Sequence, residues 1–189
     1  MAAFLIPAFA AAGAEIPRQA PDFTIQLAPN KSIKLSQYRD KTVVLAFILT
    51  YCSHCQAVLR GLIKDQEDLA PKGLQVLACA IEDTAAMAVP TFIRQFAPTF
   101  PVGYGANADA LKFLQHPPMM GFYMPAVVFI DKTGTIRAQY EGRDEMLKEP
   151  TQLKTVRDKI LEVMGMPSAP AAPAKSPAKT PAKKSTAKH

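Results

Sequence analysis

The sequence predicts an α/β domain, and three observations carry that prediction. There are two continuous apolar runs of strand length, a helical stretch between them, and further strand and helix signals after them. The runs are residues 42–49 (TVVLAFIL) and 74–81 (LQVLACAI), which read as buried strands. Between them, Ala57, Val58, Leu62, Ile63 and Leu69 keep helical spacing from residue 53 to about 69. Pro71 and Gly73 stop that helix, so the unit is βαβ with a short return.

The flanking elements follow in chain order. Residues 23–27 and 32–34 alternate apolar and polar positions around Pro29-Asn30, which predicts a hairpin. After the βαβ unit, residues 91–96 predict a short helix opened by Pro90 and closed before Pro98, and residues 108–114 another. Residues 127–131 and 135–140 flank Lys132-Thr133-Gly134, a turn between antiparallel strands. A last amphipathic helix is expected from about residue 150 to 164, with Pro150 in its first turn and Gly165 at its end. Its core stripe is Leu153, Val156, Ile160, Leu161 and Met164. The order is β-β-βαβ, a helical insertion over about residues 84–120, then β-β-α. That insertion is rich in Pro, Met and aromatics, ending in Pro117-Pro118-Met119-Met120-Gly121-Phe122-Tyr123. It is either a docking apron for a partner or core packing.

Composition limits the function classes. Of 189 residues, 49% are hydrophobic, enough for one real core. Three cysteines exclude a disulfide-stapled miniature fold. The net charge of +6 is concentrated at one end, because five lysines and no acid follow Met166. The rest of the chain holds 17 basic against 16 acidic residues and does not predict a nucleic-acid-binding surface.

Three segments result: a signal-like leader and linker over residues 1–19, a domain over 20–165, and a Lys/Pro/Ala tail over 166–189. The leader has a short apolar run and Ala12-Gly13-Ala14 before Glu15, resembling a signal-peptidase site. It lacks a basic start, so a secretory signal beginning upstream of Met1 is the expectation. The tail has almost no large apolar residue and is expected to be disordered. It is either a solvated end or an adhesive one for an anionic surface.

The chemistry is expected at Cys52-Ser53-His54-Cys55, which directly follows a buried strand and opens a helix. A helix N-terminus offers unpaired N–H groups and a positive dipole end, and both stabilise a thiolate at Cys52. Cys55 lies one turn further on the same side and can resolve a mixed disulfide at Cys52. This predicts thiol–disulfide exchange without any cofactor. His54 is expected to stabilise the Cys52 thiolate by hydrogen bond or by charge. The potential would then stand above the roughly −270 mV of thioredoxin.

Other chemistries fit the residues less well. Structural zinc wants four ligands, and only Cys79, His54, His116 and His189 lie outside the pair. Cys79 falls within an apolar strand, where cysteine usually packs. No metal is therefore expected. A peroxiredoxin would need P-x-x-x-T-x-x-C, whereas residues 45–52 read LAFILTYC. The binding-module alternative is a Sco-like copper-handling protein, which would use His116 but usually separates its cysteines by three residues.

These residues together resemble the TlpA/ResA-like branch of the thioredoxin superfamily, bacterial extracytoplasmic disulfide reductases, over roughly residues 20–165. The resemblance is carried by Ala20-Pro21-Asp22-Phe23, by VVLAFIL leading into TYCSHCQ, and by MPAVVFID followed by Lys132-Thr133-Gly134. It implies a thioredoxin fold and a cis Pro125 facing the cysteine pair, with the backbone of Met124 binding a substrate chain. Tyr51 stands where many members have Trp and is also expected to meet substrate. Ala46 stands where the family often carries a polar or acidic residue; Glu82 is either its substitute or a solvated loop carboxylate. The partners implied are protein thiols or disulfides and a redox partner, acting on a monomer in the periplasm that is soluble or loosely tethered to the membrane.

Overall fold

The computed structural model describes residues 14–117 and 119–167. Most of the leader, Pro118 and nearly all of the basic tail lie outside the described residues. Within them the chain runs β1 (Arg18–Gln19), β2 (Thr24–Ala28), β3 (Lys31–Lys34), β4 (Thr42–Ile48), α1 (Ser53–Leu69) and β5 (Leu74–Ala80). It continues α2 (Ala85–Phe96), β6 (Val102–Tyr104), α3 (Asn107–Leu114), β7 (Ala126–Ile130), β8 (Thr135–Tyr140) and α4 (Gln152–Val163). The strands form one mixed sheet in the order β1-β8-β7-β4-β5-β6-β2-β3. This is a thioredoxin-like α/β fold with the expected N-terminal hairpin, β2–β3.

β4 is the axis of the sheet. It runs parallel to β5, with Val44 opposite Val76, and antiparallel to β7, with Val44 opposite Phe129. Side chains alternate along a strand, so an all-apolar strand feeds two cores. Val44, Ala46 and Ile48 face α1, where Cys55, Val58, Leu59 and Leu62 are buried. Val43, Leu45 and Phe47 face the other way, onto Phe23 and Phe113. There Phe23 meets Phe47 edge to face at 5.2 Å and Phe113 at 5.3 Å. Each large apolar side chain fully buried in this way contributes about 1.5–3 kcal/mol.

Three expectations need correction. First, the helix expected over 91–96 is α2, which starts at Ala85 and runs through Pro90. The buried stripe Ala85, Val89 and Phe92 holds it against the sheet, and that packing outweighs the hydrogen bond that proline cannot donate. Second, the insertion is not purely helical. β6 extends the sheet beside β5 and pairs with β2, Gln26 opposite Tyr104. Gly103 permits this approach, because a Cβ there would lie 2.2 Å from the Gln26 carbonyl oxygen. Third, α4 begins at Gln152 rather than Pro150, and Leu153 leaves the core stripe for the surface, lying over Gly61.

The β7–β8 turn is clasped by Asp131. Its Oδ1 accepts the Thr133 and Thr135 amides at 2.8 and 3.1 Å and the Thr133 hydroxyl at 2.6 Å. Arg137 Nε donates to Oδ2 at 2.5 Å. Burial pushes this carboxyl up, but those donors outweigh it and hold it at about 2, below the ordinary 3.8. A carboxyl depressed by folding adds stability that is complete above its unfolded value. That contribution is lost as pH falls from about 4 through about 2. The urea midpoint should therefore fall across this window in the native chain and fall less steeply in Asp131→Asn. An equal slope in both would contradict the clasp.

Candidate active site

β4 ends at Ile48, and after four intervening residues the chain becomes helix at Ser53. Cys52 closes the intervening turn, its N–H donating to the Leu49 carbonyl at 3.1 Å. It then acts as the N-cap of α1 (φ −78°, ψ 115°). Its sulfur takes the place usually filled by a Ser or Asp oxygen: the Cys55 N–H donates to Cys52 Sγ at 3.2 Å. The sulfur thus sits at the positive end of a 17-residue helix whose first turn holds no acid. Negative charge on Cys52 is stabilised by both the amide and the helix dipole.

The partner thiol is placed differently. Cys55 has no exposed surface and packs within the α1 core, whereas Cys52 is half-buried at the rim. Burial holds the Cys55 thiol well above the ordinary thiol range, and the neighbouring Cys52 sulfur adds to this. Cys79 lies on β5 in the opposite core, across the sheet from Cys55. Its thiol is pushed up to about 12, first by burial and then by Glu82. The cysteines are free thiols in this structure, one reachable and two enclosed.

The expected companions gather at the same end of the sheet. The Met124–Pro125 bond is cis, and Pro125 is followed at once by β7, whose Ala126 pairs with Phe47 near the end of β4. Gly142 crosses Met124 so closely that a Cβ would lie 2.3 Å from the Met124 oxygen, and its N–H donates to the Tyr123 carbonyl at 2.8 Å. Tyr51 is 72% exposed. Beside it opens a groove of about 300 Å³ lined by Thr50, Tyr51 and Gln56, with Ala88, Thr91 and Phe92 from α2.

His54 and Glu82 are engaged elsewhere. The His54 Nε2 donates to the Leu147 carbonyl, in the 3-10 turn Glu145–Leu147 that precedes α4. Among the described residues no hydrogen bond joins its ring to Cys52. Ala46 is fully buried on the face of β4 that carries the α1 core and offers no proton acceptor there. Glu82 Oε1 accepts both the N–H and the hydroxyl of Thr50, while Gln56 Nε2 donates to the Thr50 carbonyl at 2.9 Å. Thr50 and Gln56 were not singled out from sequence; they carry no spacing signal and matter only through these loop contacts.

His116 does not serve the cysteine pair. Its Nδ1 bonds Glu141 at 2.7 Å and its Nε2 the Met120 carbonyl at 3.1 Å. Among the described residues no three His, Cys, Asp or Glu side chains converge as a metal site would require. In the 117–123 apron, Met119 and Met120 are exposed, whereas Phe122 packs against the core.

Fold and site together define a thioredoxin-fold protein with a C-x-x-C pair at a strand–helix junction. Residues 16–139 match the AhpC/TSA family, and the chain belongs to it. It is similar to the thiol-disulfide oxidoreductase ResA of Bacillus thuringiensis subsp. konkukian, 27% identical over 137 residues, which are 71% of this chain and 76% of that protein. The thioredoxin-like protein YneN of Bacillus subtilis is 25% identical over 125 residues, covering 66% of this chain and 71% of that protein. Among solved structures, a putative thiol:disulfide interchange protein DsbE from Chlorobium tepidum superposes with TM-score 0.67 at 23% identity, over 79% of this chain and 97% of that one. A secreted thiol-disulfide isomerase from Corynebacterium glutamicum does so with TM-score 0.66 at 20% identity, over 87% and 98%. At these identities the structures establish the fold alone.

The burial difference has a direct chemical readout. Iodoacetamide at neutral pH should modify Cys52 at least about tenfold faster than Cys55 or Cys79 in the folded protein. All three should react alike once urea unfolds the chain. Equal rates in the folded state would contradict the placement.

Proposed function

We propose that this protein is a thiol–disulfide oxidoreductase that exchanges disulfides with protein cysteines outside the cytoplasm. The observation that carries the reading is the N-cap position of the Cys52 sulfur on α1, with Cys55 N–H bonded to it and the Cys55 thiol buried behind it. A half-buried, reachable thiol at a helix N-terminus beside an enclosed one is the asymmetry that exchange needs.

In the reducing direction, the Cys52 thiolate attacks one sulfur of a substrate disulfide. A Cys52–substrate disulfide forms, and the substrate's other sulfur leaves as thiolate. Cys55 then gives up its proton and attacks Cys52 Sγ, breaking the mixed disulfide. The substrate leaves with both sulfurs reduced and protonated, and the two electrons come from the Cys52 and Cys55 thiols, which are left joined as a disulfide. The oxidising direction is the same sequence reversed. Burial of Cys55 disfavours its thiolate, so Cys52 is the thiol that attacks first.

Substrate binding falls to the surroundings. Among the described residues, neither N–H nor C=O of Met124 takes part in a backbone hydrogen bond. They are offered beside Pro125 as the edge on which an extended substrate chain pairs. Tyr51 supplies an exposed aromatic face next to the sulfur. His54 acts through its charge when protonated, its ring held in place by the Leu147 carbonyl.

The leader-like residues 1–19 support export, as does the likeness to a secreted isomerase. No described helix is long and apolar enough to cross a membrane. The domain of residues 20–165 performs the exchange as a monomer, and the basic tail is either a solvated end or an adhesive one for an anionic surface.

The test is trapping. Cys55→Ser, incubated with a peptide disulfide, should accumulate a mixed disulfide at Cys52 by intact mass. Reduced wild type should reduce one equivalent of peptide disulfide per Cys52–Cys55 pair, and His54→Ala should do so more slowly. Absence of any Cys52 adduct in Cys55→Ser would refute the reading.

A further inference from the structure

Glu82 lies at the end of the sheet where β4 and β5 both stop. The Ile81 N–H still donates to the Ile48 carbonyl at 3.1 Å, continuing the β4–β5 pairing one residue past the strands. This places the next side chain, Glu82, beside the turn that leads from β4 to Cys52. Oε1 accepts the Thr50 N–H at 3.0 Å and, on the same oxygen, the Thr50 hydroxyl. The Thr50 carbonyl is taken by Gln56 of α1. All three polar groups of Thr50 are therefore engaged, two by β5's extension and one by the helix that Cys52 caps.

The other carboxylate oxygen points to function. Oε2 is enclosed and has no partner among the described residues. An enclosed oxygen without a donor costs stability, so holding the fold together is not what this carboxylate does best. What it does is fix one conformation of Thr50, two residues before the nucleophile. Two residues on, the Cys52 sulfur is aligned on the Cys55 amide at 3.2 Å. Small displacements of a reacting atom are costly, since a shift of about 1 Å can slow a reaction about a hundredfold.

We propose that Glu82 is a positioning residue for Cys52, acting through Thr50 rather than touching the reacting sulfurs. The proposal rests on the dithiol-exchange reading, and it assigns the work to hydrogen-bond acceptance and not to negative charge. Glu82→Gln keeps an oxygen for both Thr50 donors and removes the charge. Glu82→Ala removes both.

The experiment measures iodoacetamide alkylation of Cys52 against pH in folded protein, with circular dichroism as the control for folding. Glu82→Ala should react about tenfold more slowly at neutral pH, with its midpoint shifted upward, while Glu82→Gln should stay within about twofold of wild type. Thr50→Val, which loses only the hydroxyl, should slow the reaction by a smaller factor and decides the matter if Glu82→Ala does not fold. Equal rates for Glu82→Ala and Glu82→Gln, or for Thr50→Val and wild type, would overturn the proposal. Failure of the wild type to reduce a peptide disulfide would instead sink the exchange reading. It would leave the alkylation ratio as the measure of Glu82.

Discussion

The N-cap hydrogen bond from Cys55 N–H to Cys52 Sγ organises this end of the molecule. It requires a helix to begin at one particular residue, and that start is fixed from behind by β4. Every residue of β4 is buried, and its register is set by β5 and β7 on either side. A strand so constrained cannot slip, because a one-residue shift would exchange its two core faces. The turn after it therefore delivers Cys52 to the same place relative to α1. Cys55 follows from helical geometry: it is the third residue of α1 and points into the α1 core.

The surrounding contacts tie distant parts of the chain to that junction. Glu82 reaches Thr50 from β5, and Leu147 receives His54 from the segment before α4. Met124 and Pro125 lead directly into β7, the strand paired with β4. The first turn of α1 is thus braced from both neighbours of β4 and from the C-terminal part of the domain. The two cysteines occupy different environments within one helical turn, and the chemistry comes from that difference.

Much of this was legible in the sequence for physical reasons. A strand buried on both faces must be apolar throughout, so β4 and β5 announce themselves. A cysteine pair between such a strand and a helical pattern locates the junction. β6 was not legible, because Val-Gly-Tyr is short and its glycine answers to the Gln26 backbone 77 positions away in sequence. The start of α2 was misplaced because Pro90 carries a boundary signal that the Ala85, Val89 and Phe92 stripe overrides. The partners of Glu82 and His54 lie 32 and 93 residues away, and no local pattern encodes them.

The central claim is that Cys52 and Cys55 form one two-electron couple from which Cys79 is excluded by its place across the sheet. The most direct measurement is a redox titration in thiol–disulfide buffers, with remaining thiols labelled and counted by mass. A single transition is expected, in which two thiols disappear together, linking Cys52 to Cys55 and leaving Cys79 labelled throughout. Separate one-thiol steps, or any disulfide that includes Cys79 in the folded chain, would contradict it.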